Sequence, residues 1–212
     1  AHEIKNPLTP IQLSIERLRD KYSTKIGDGK EQFESYLLTI NRQIKDIEKL
    51  VNEFSNFARM PRPVFKKKDI TKIIEQSIKF LKISIKSQIN FKGEGKSYFV
   101  SCDEDQLYRV FINLIKNADE SILELINKKP NYKGKIDIDI IDNNDYIVIF
   151  IIDNGEGISD KKKAMTPYFT TKKSGTGLGL PIVNKIINEH SGELIIKSSN
   201  GTTVEIWLPI KI

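Results

Sequence analysis

From Ile4 the apolar residues Ile4, Leu8, Ile11, Ile15, Leu18 and Tyr22 recur at alternating steps of four and three, the seam of a heptad helix. Phe33, Leu37, Ile40, Ile44, Ile47, Val51, Phe54 and Ala58 repeat the pattern with more regularity. Gly27-Asp28-Gly29 breaks it between the two, so the chain turns back on itself. Met60-Pro61-Arg62-Pro63 ends the second helix, since prolines so spaced cannot continue it. The period then changes. Val64-Phe65-Lys66 reads as a short strand, 70–81 as an amphipathic helix, and Ile89-Asn90-Phe91 and Tyr98-Phe99-Val100 as strands. Asp103 caps a long helix through Leu107, Val110, Phe111, Leu114, Ile115, Ala118 and Ile122. Residues 135–141 and 146–153 alternate as a hairpin around Asp142-Asn143-Asn144-Asp145, and 181–189 is helical. After Gly192, residues 194–198 and 203–208 pair across Asn200-Gly201, a strong hairpin signal. The order predicts a helical hairpin over 1–60, then a mixed sheet covered on one face by helices over 61–212.

Two helices with narrow apolar seams bury little alone, and pairing two hairpins into a four-helix bundle is the natural remedy. The seam by itself fits a generic coiled-coil spacer equally well. His2 separates the two readings. It lies two residues before Ile4, about 200° around the helix, and therefore faces away from the seam. Glu3 and Asn6 fall within a turn of it, so a polar trio clusters on one side, and Pro7 is expected to bend the helix just beyond. A neutral exposed imidazole beside a carboxylate that holds its other ring proton is a plausible nucleophile.

Composition narrows the classes. The 212 residues are 39% hydrophobic and 29% charged, as in an ordinary soluble protein, and contain no apolar run long enough to span a membrane. One cysteine, Cys102, excludes internal disulfides and fits a reducing cytoplasm; two histidines cannot build a His-rich metal site. The charge of +6 comes from scattered lysines without interleaved aromatics, which argues against a nucleic-acid partner. The chain opens within a helix and without an initiator methionine, so it is expected to be a fragment of a longer protein.

Four clusters in the second half carry chemistry. Asn113 and Asn117 are four apart on the long helix, opposite its apolar face, and a carboxamide oxygen suits Mg²⁺ that keeps waters and phosphate oxygens. Asp153-Asn154-Gly155-Glu156-Gly157 ends an apolar strand. A half-buried carboxylate there needs donors such as an adenine amino group, and the glycines let backbone approach a flat base. Pro167-Tyr168-Phe169-Thr170-Thr171-Lys172 lies in a polar stretch, 159–174, of the length used for lids. Gly175-Thr176-Gly177-Leu178-Gly179-Leu180 leads into a helix with Pro181 in its first turn, and such loops present N–H groups to phosphates. Singly, these pieces also read as polar surface, a tight turn, a solvated loop and a linker. Together and in this order they describe a nucleotide site.

Here the chain resembles the bacterial two-component sensor histidine kinases. His2-Glu3-Ile4-Lys5-Asn6-Pro7-Leu8 is similar to the family's phosphoacceptor box, 113–118 to its N box, 153–157 to its first glycine box, Tyr168-Phe169 to its F box and 175–180 to its second glycine box. The opening stretch and Phe57-Ala58-Arg59-Met60-Pro61 look most like nitrogen-regulation membrane sensors of the NtrY type. The resemblance implies an all-α dimerisation hairpin, a four-helix bundle as a homodimer, followed by an α/β sandwich of the Bergerat (GHKL) ATP-binding type. It implies that His2 is phosphorylated, that Glu3 is its acid/base partner, and that Asn6 positions water when the partner is dephosphorylated. Asn117 would coordinate Mg²⁺, with Asn113 and Lys116 near the ATP phosphates, and Asp153 would recognise adenine. Gly155, Gly157, Tyr168, Phe169, Thr171, Lys172, Gly175, Thr176, Gly177, Leu178, Gly179 and Leu180 would shape the pocket and its lid. The implied partner is the receiver domain of a response regulator. The implied setting is the cytoplasmic portion of a protein anchored in the bacterial inner membrane by upstream segments.

Two departures touch the lid: Thr166 stands where related sensors often carry an acid, and Ser191 replaces a usual glycine after His190, which itself reads as structural. An ATP hydrolase of the same fold would need a water-activating glutamate four residues before the metal asparagine, where this chain has Asn113. A catalytically silent dimerisation and nucleotide-binding module is the non-enzymatic alternative, and retention of the core groups argues against it.

Overall fold

The computed structural model describes residues 7–58, 60–172 and 175–210. The chain forms two compact units. The first holds the helical hairpin with the segment Thr170–Leu178, and the second holds Pro61–Phe169 and Gly179–Ile212. The trio His2, Glu3 and Asn6 lies outside the described residues.

In the first unit, α1 (Leu8–Tyr22) and α2 (Lys30–Ala58) run antiparallel. Pro7, with helical dihedrals of φ −75 and ψ −18, stands directly before α1, and the bend expected there turns on residues 1–6, which lie outside the described residues. Leu8, Ile15, Leu37 and Ile44 are buried against one another with Phe33 packed beside them, and Val51 is buried further along α2. Gln12 donates to Glu48 at 3.2 Å and Arg19 meets Glu34 at 3.0 Å, which fixes the antiparallel register. The seam is only half used. Ile11, Leu18, Ile40, Ile47 and Phe54, the intervening members of the same heptads, are left between 41% and 45% exposed.

The second unit starts with β1 (Lys66–Asp69), α3 (Ile70–Leu81), β2 (Gln88–Phe91) and β3 (Phe99–Cys102). It continues with α4 (Glu104–Lys128), the hairpin β4 (Lys135–Asn143) and β5 (Tyr146–Asp153), and the one-turn α5 (Lys161–Ala164). It closes with α6 (Gly179–Glu189) and the hairpin β6 (Glu193–Ser199) and β7 (Gly201–Pro209). Five strands form a mixed sheet of order β2-β4-β5-β7-β6, parallel only between β2 and β4. All seven apolar residues read from the long helix are buried on α4. With Ile73 and Ile74 of α3 and Ile182, Val183, Ile186 and Ile187 of α6, they form a core with the inward residues Ile136, Ile138, Ile149, Ile151, Val204 and Ile206.

The expected first strand was misplaced. β1 begins at Lys66 and pairs with β3 in a separate two-stranded ladder. Residues 61–65 are held elsewhere: Pro61 O accepts from Gln106 Nε2 at 3.0 Å, Val64 N donates to Asp103 Oδ2 at 2.8 Å, and the Phe65 ring meets His190 edge-on at 5.1 Å. The expected strand 98–100 likewise shifts to β3, because Tyr98 spends its N–H on Asp69 and its carbonyl on Ile70 N. Asp103 caps α4 as read, accepting from Gln106 N at 3.0 Å. The polar stretch 159–174 includes a short helix capped by Asp160, whose carboxyl is held below the usual carboxylate range by the backbone N–H of Lys163.

His190 is structural. It is fully buried, its Nε2 accepts from Asp103 N at 3.0 Å, and its Nδ1 lies 2.8 Å from Ile186 O. That pair of bonds requires the neutral ring protonated at Nδ1, and burial lowers its pKa accordingly. Ser191 next to it adopts φ +54, the left-handed region, which explains why glycine is usual at this position. Cys102 is buried, and burial first, then Glu104 and Asp103, push its thiol up to about 12.

Candidate nucleotide site

The site in the second unit is built from two elements against α4. Asn113 and Asn117 stand on the side of α4 away from its buried stripe, each half-buried, with Lys116 exposed between them. Against them lies the start of α6. A Cβ added at Gly179 would sit 3.6 Å from Asn117 Nδ2 and 3.9 Å from Asn113 Oδ1, so both carboxamides face the first residue of that helix. The first N–H groups of a helix are unpaired within it and carry the positive end of its dipole. Two carboxamides beside such an end can hold phosphate oxygens and a hard cation together.

The second element is the turn after β5. Asp153 is 6% exposed, and its Oδ1 accepts from Gly155 N at 2.8 Å and Thr202 N at 3.3 Å. Gly201, at φ +109, lets β7 start within van der Waals range of β5, since a Cβ there would meet Asp153 O at 2.0 Å. Gly157, at φ +84, lies under Ser198 Oγ. Ser198 Oγ accepts from Ile158 N at 2.9 Å and donates to Gly201 O at 3.1 Å. Asn154 is tied on three sides: Tyr132 donates to its carbonyl at 2.5 Å, its Oδ1 accepts from Lys135 N, and its Nδ2 donates to Lys133 O. Glu156 N donates to Ser121 Oγ at 3.0 Å, and the Glu156 carboxylate pairs with Lys128. The result is a carboxylate held in one orientation at the end of a rigid strand.

The remaining predicted residues belong to other segments of the chain. Tyr168 and Phe169 are exposed at the end of the lid stretch, Tyr168 at φ +68. Thr171, Lys172, Gly175, Thr176, Gly177 and Leu178 fall in the segment grouped with the helical hairpin. There Thr170 Oγ1 accepts from Lys172 N at 3.1 Å, Gly177 takes φ +68, and the Thr176 hydroxyl donates to Glu53 of α2. Leu178 is buried and Leu180 half-buried. Reading the sequence missed Ser121, Tyr132, Ser198 and Thr202, and gave Asn154 no task. Only Ser121 left a signal, since it stands four residues beyond Asn117 and continues the same row.

The match of these pieces to known proteins is extensive. A family model described as histidine kinase-, DNA gyrase B-, and HSP90-like ATPase matches residues 102–212, and one described as the His Kinase A (phospho-acceptor) domain matches residues 1–63. The chain belongs to the histidine kinases of this ATPase family. An NtrY-like sensor histidine kinase of Rickettsia felis is 39% identical over 217 residues, which cover all of this chain and 35% of the relative. The nitrogen regulation protein NtrY of Azorhizobium caulinodans is 39% identical over 214 residues, covering all of this chain and 28% of that protein. This histidine kinase core thus spans about a third of the length of the curated relatives it matches. Among solved structures, histidine kinase ThkA in complex with the response regulator TrrA superposes with a TM-score of 0.65 at 26% identity, over 99% of this chain and 59% of that one. The ThkA catalytic domain alone gives 0.61 at 28% identity, over 70% of this chain and 97% of that one. The ATPase-type domain of this kinase core binds ATP, and the tied turn at Asp153 and the Asn113–Asn117 row lie within its matched span.

Proposed function

We propose that this kinase core transfers the γ-phosphoryl group of MgATP to the imidazole of His2 and then passes it to an aspartate of a response-regulator receiver domain. The observation that carries the reading is the placement of the Asn113 and Asn117 carboxamides against Gly179 at the start of α6. Asp153, held by Gly155 and Thr202, accepts from the adenine amino group. In the transfer the bond between the γ-phosphorus and the ADP oxygen breaks, a phosphorus–nitrogen bond to His2 forms, and Glu3 holds the other ring proton. Phosphoryl transfer demands little covalent help, so these residues act by position and charge.

The residues fit Mg²⁺ in one particular way. Among the described residues no cluster of histidine, cysteine or carboxylate side chains could cage a metal ion. A cation that retains waters and phosphate oxygens needs only the oxygen of Asn117, and Mg²⁺ is of that kind. Bound there, Mg²⁺ would offset the charge of the phosphate oxygens. Lys116, Tyr168, Phe169, Thr171, Lys172 and the glycines from Gly175 to Gly179 complete the pocket and its lid in this reading, and Asn6 positions water for dephosphorylation of the partner.

The exposed half-seam of the hairpin supports a homodimer, since a second copy would cover Ile11, Leu18, Ile40 and Ile47 and close a four-helix bundle. The TrrA complex of ThkA supports a receiver domain as partner. No helix of the described residues is long and apolar enough to cross a membrane. The parent protein is read as anchored in the inner membrane with this portion in the cytoplasm, after its NtrY-like relatives. Incubation with γ-labelled MgATP should give an acid-labile phosphoprotein, and His2→Gln should abolish it. Steady phosphate release with no labelled protein would favour an ATP hydrolase instead.

A further inference from the structure

Three observations meet at Ser121, a residue with no part in the reading above. It continues the Asn113–Asn117 row by one more turn of α4. Its Oγ accepts the Glu156 N–H at 3.0 Å. Gly155 lies so close that a Cβ there would meet Ser121 Oγ at 2.4 Å and the Ser121 carbonyl carbon at 2.8 Å. One row therefore carries, over about 12 Å of rigid helix, the carboxamides facing Gly179 and a hydroxyl gripping the Asp153 turn. The other ties of that turn run elsewhere: Ser198 binds it to the β6–β7 hairpin, and Tyr132 and Asn154 bind it to the stretch before β4 and to the first residue of β4. The second link to α4, the Lys128–Glu156 pair, is largely exposed and joins two flexible side chains, which makes it a poor brace.

We propose that Ser121 is a positioning residue for nucleotide binding: its hydroxyl fixes the Asp153 turn in register with the asparagine row, so that purine and phosphates are met at once. The inference rests on the reading that Asp153 and the asparagines hold the nucleotide. Without the hydroxyl, Glu156 N–H turns to water, as the exposure of Glu156 allows, and the fold survives. What is lost is the fixed distance between the two ends of the site. A ligand that touches only the purine end can follow a loosened turn, and a ligand that spans both ends cannot. Preorganisation of this kind shows as affinity for the spanning ligand.

Ser121→Thr and Ser121→Val in the whole chain isolate the hydroxyl, because the two side chains have the same shape. Dissociation constants for MgATP and for adenosine are measured with both, together with the melting temperature of the nucleotide-free protein. The Val variant should bind MgATP about tenfold more weakly than the Thr variant, the loss of one hydrogen bond to a held group. Adenosine should differ between them by no more than about twofold, and the melting temperatures should agree. Equal MgATP affinities for Thr and Val overturn the proposal. So does an equal loss for both ligands accompanied by a lower melting temperature, which marks a general weakening of the fold. Asp153→Asn in the same assay separates the two readings. If it binds MgATP as the unaltered protein does, the nucleotide-site assignment has failed and the brace falls with it; if it loses binding while Thr and Val agree, only the brace has failed.

Discussion

The two units of this kinase core solve burial in opposite ways. The α/β unit closes its own core: α3, α4 and α6 cover one face of a five-stranded sheet, and Phe111, Ile115, Ile149 and Ile206 are fully buried within a single chain. The hairpin spends only alternate members of each heptad on itself, with Leu8, Ile15, Leu37, Ile44 and Val51 inside and Ile11, Leu18, Ile40 and Ile47 outside. The first arrangement makes a rigid binding site that needs no partner to exist. The second leaves an apolar surface, which a second copy would cover in the homodimer proposed above.

The largest effect that sharpens this contrast lies in the closed core. Phe111→Ala should destabilise the α/β unit by about 3–5 kcal/mol, seen as a lower urea midpoint that does not change with protein concentration. In the open seam, Ile47→Lys should weaken self-association roughly thirtyfold, about 2 kcal/mol, measured by sedimentation equilibrium. Denaturation of the hairpin should then lose its concentration dependence. A concentration-dependent midpoint for the Phe111 variant, or a fully associated Ile47 variant, would break the comparison.

Acid should act on the α/β unit through His190. Its folded pKa is depressed by burial, so its contribution is fully present above the unfolded value of 6.5 and is lost as pH falls from there toward the folded value. The urea midpoint of this unit should drop over that window, and His190→Gln should flatten the drop. The smallest expected effect is at the neighbouring position. Ser191→Gly removes a left-handed serine and should add about 0.5–1 kcal/mol to the same midpoint.

The sequence made the elements of the α/β unit legible because each carries its own period. The seven apolar positions of α4 and both late hairpins lie where alternation and the Asn-Gly turn predicted them. The heptads located the hairpin, but a period cannot say which of two seam positions meets the sister helix and which is left open. β1 was misplaced by two residues because the N–H of Val64 and the ring of Phe65 are claimed by Asp103 and His190, partners far along the chain. The asparagine row and Asp153 were visible as residue types with a spacing. Ser198 and Thr202 were not, since a serine and a threonine in strands acquire a role only when β6 and β7 pair and β7 lies beside β5. Ser191 shows the converse: a departure that looked like doubt about the lid is a local strain in backbone.

The phosphoacceptor proposed above is the imidazole of His2. After incubation with MgATP, peptide mapping under alkaline conditions should place one phosphate on His2, absent when Asp153→Asn replaces the native residue. Phosphate on any other side chain, or ATP turnover that leaves the protein unmodified, would contradict it.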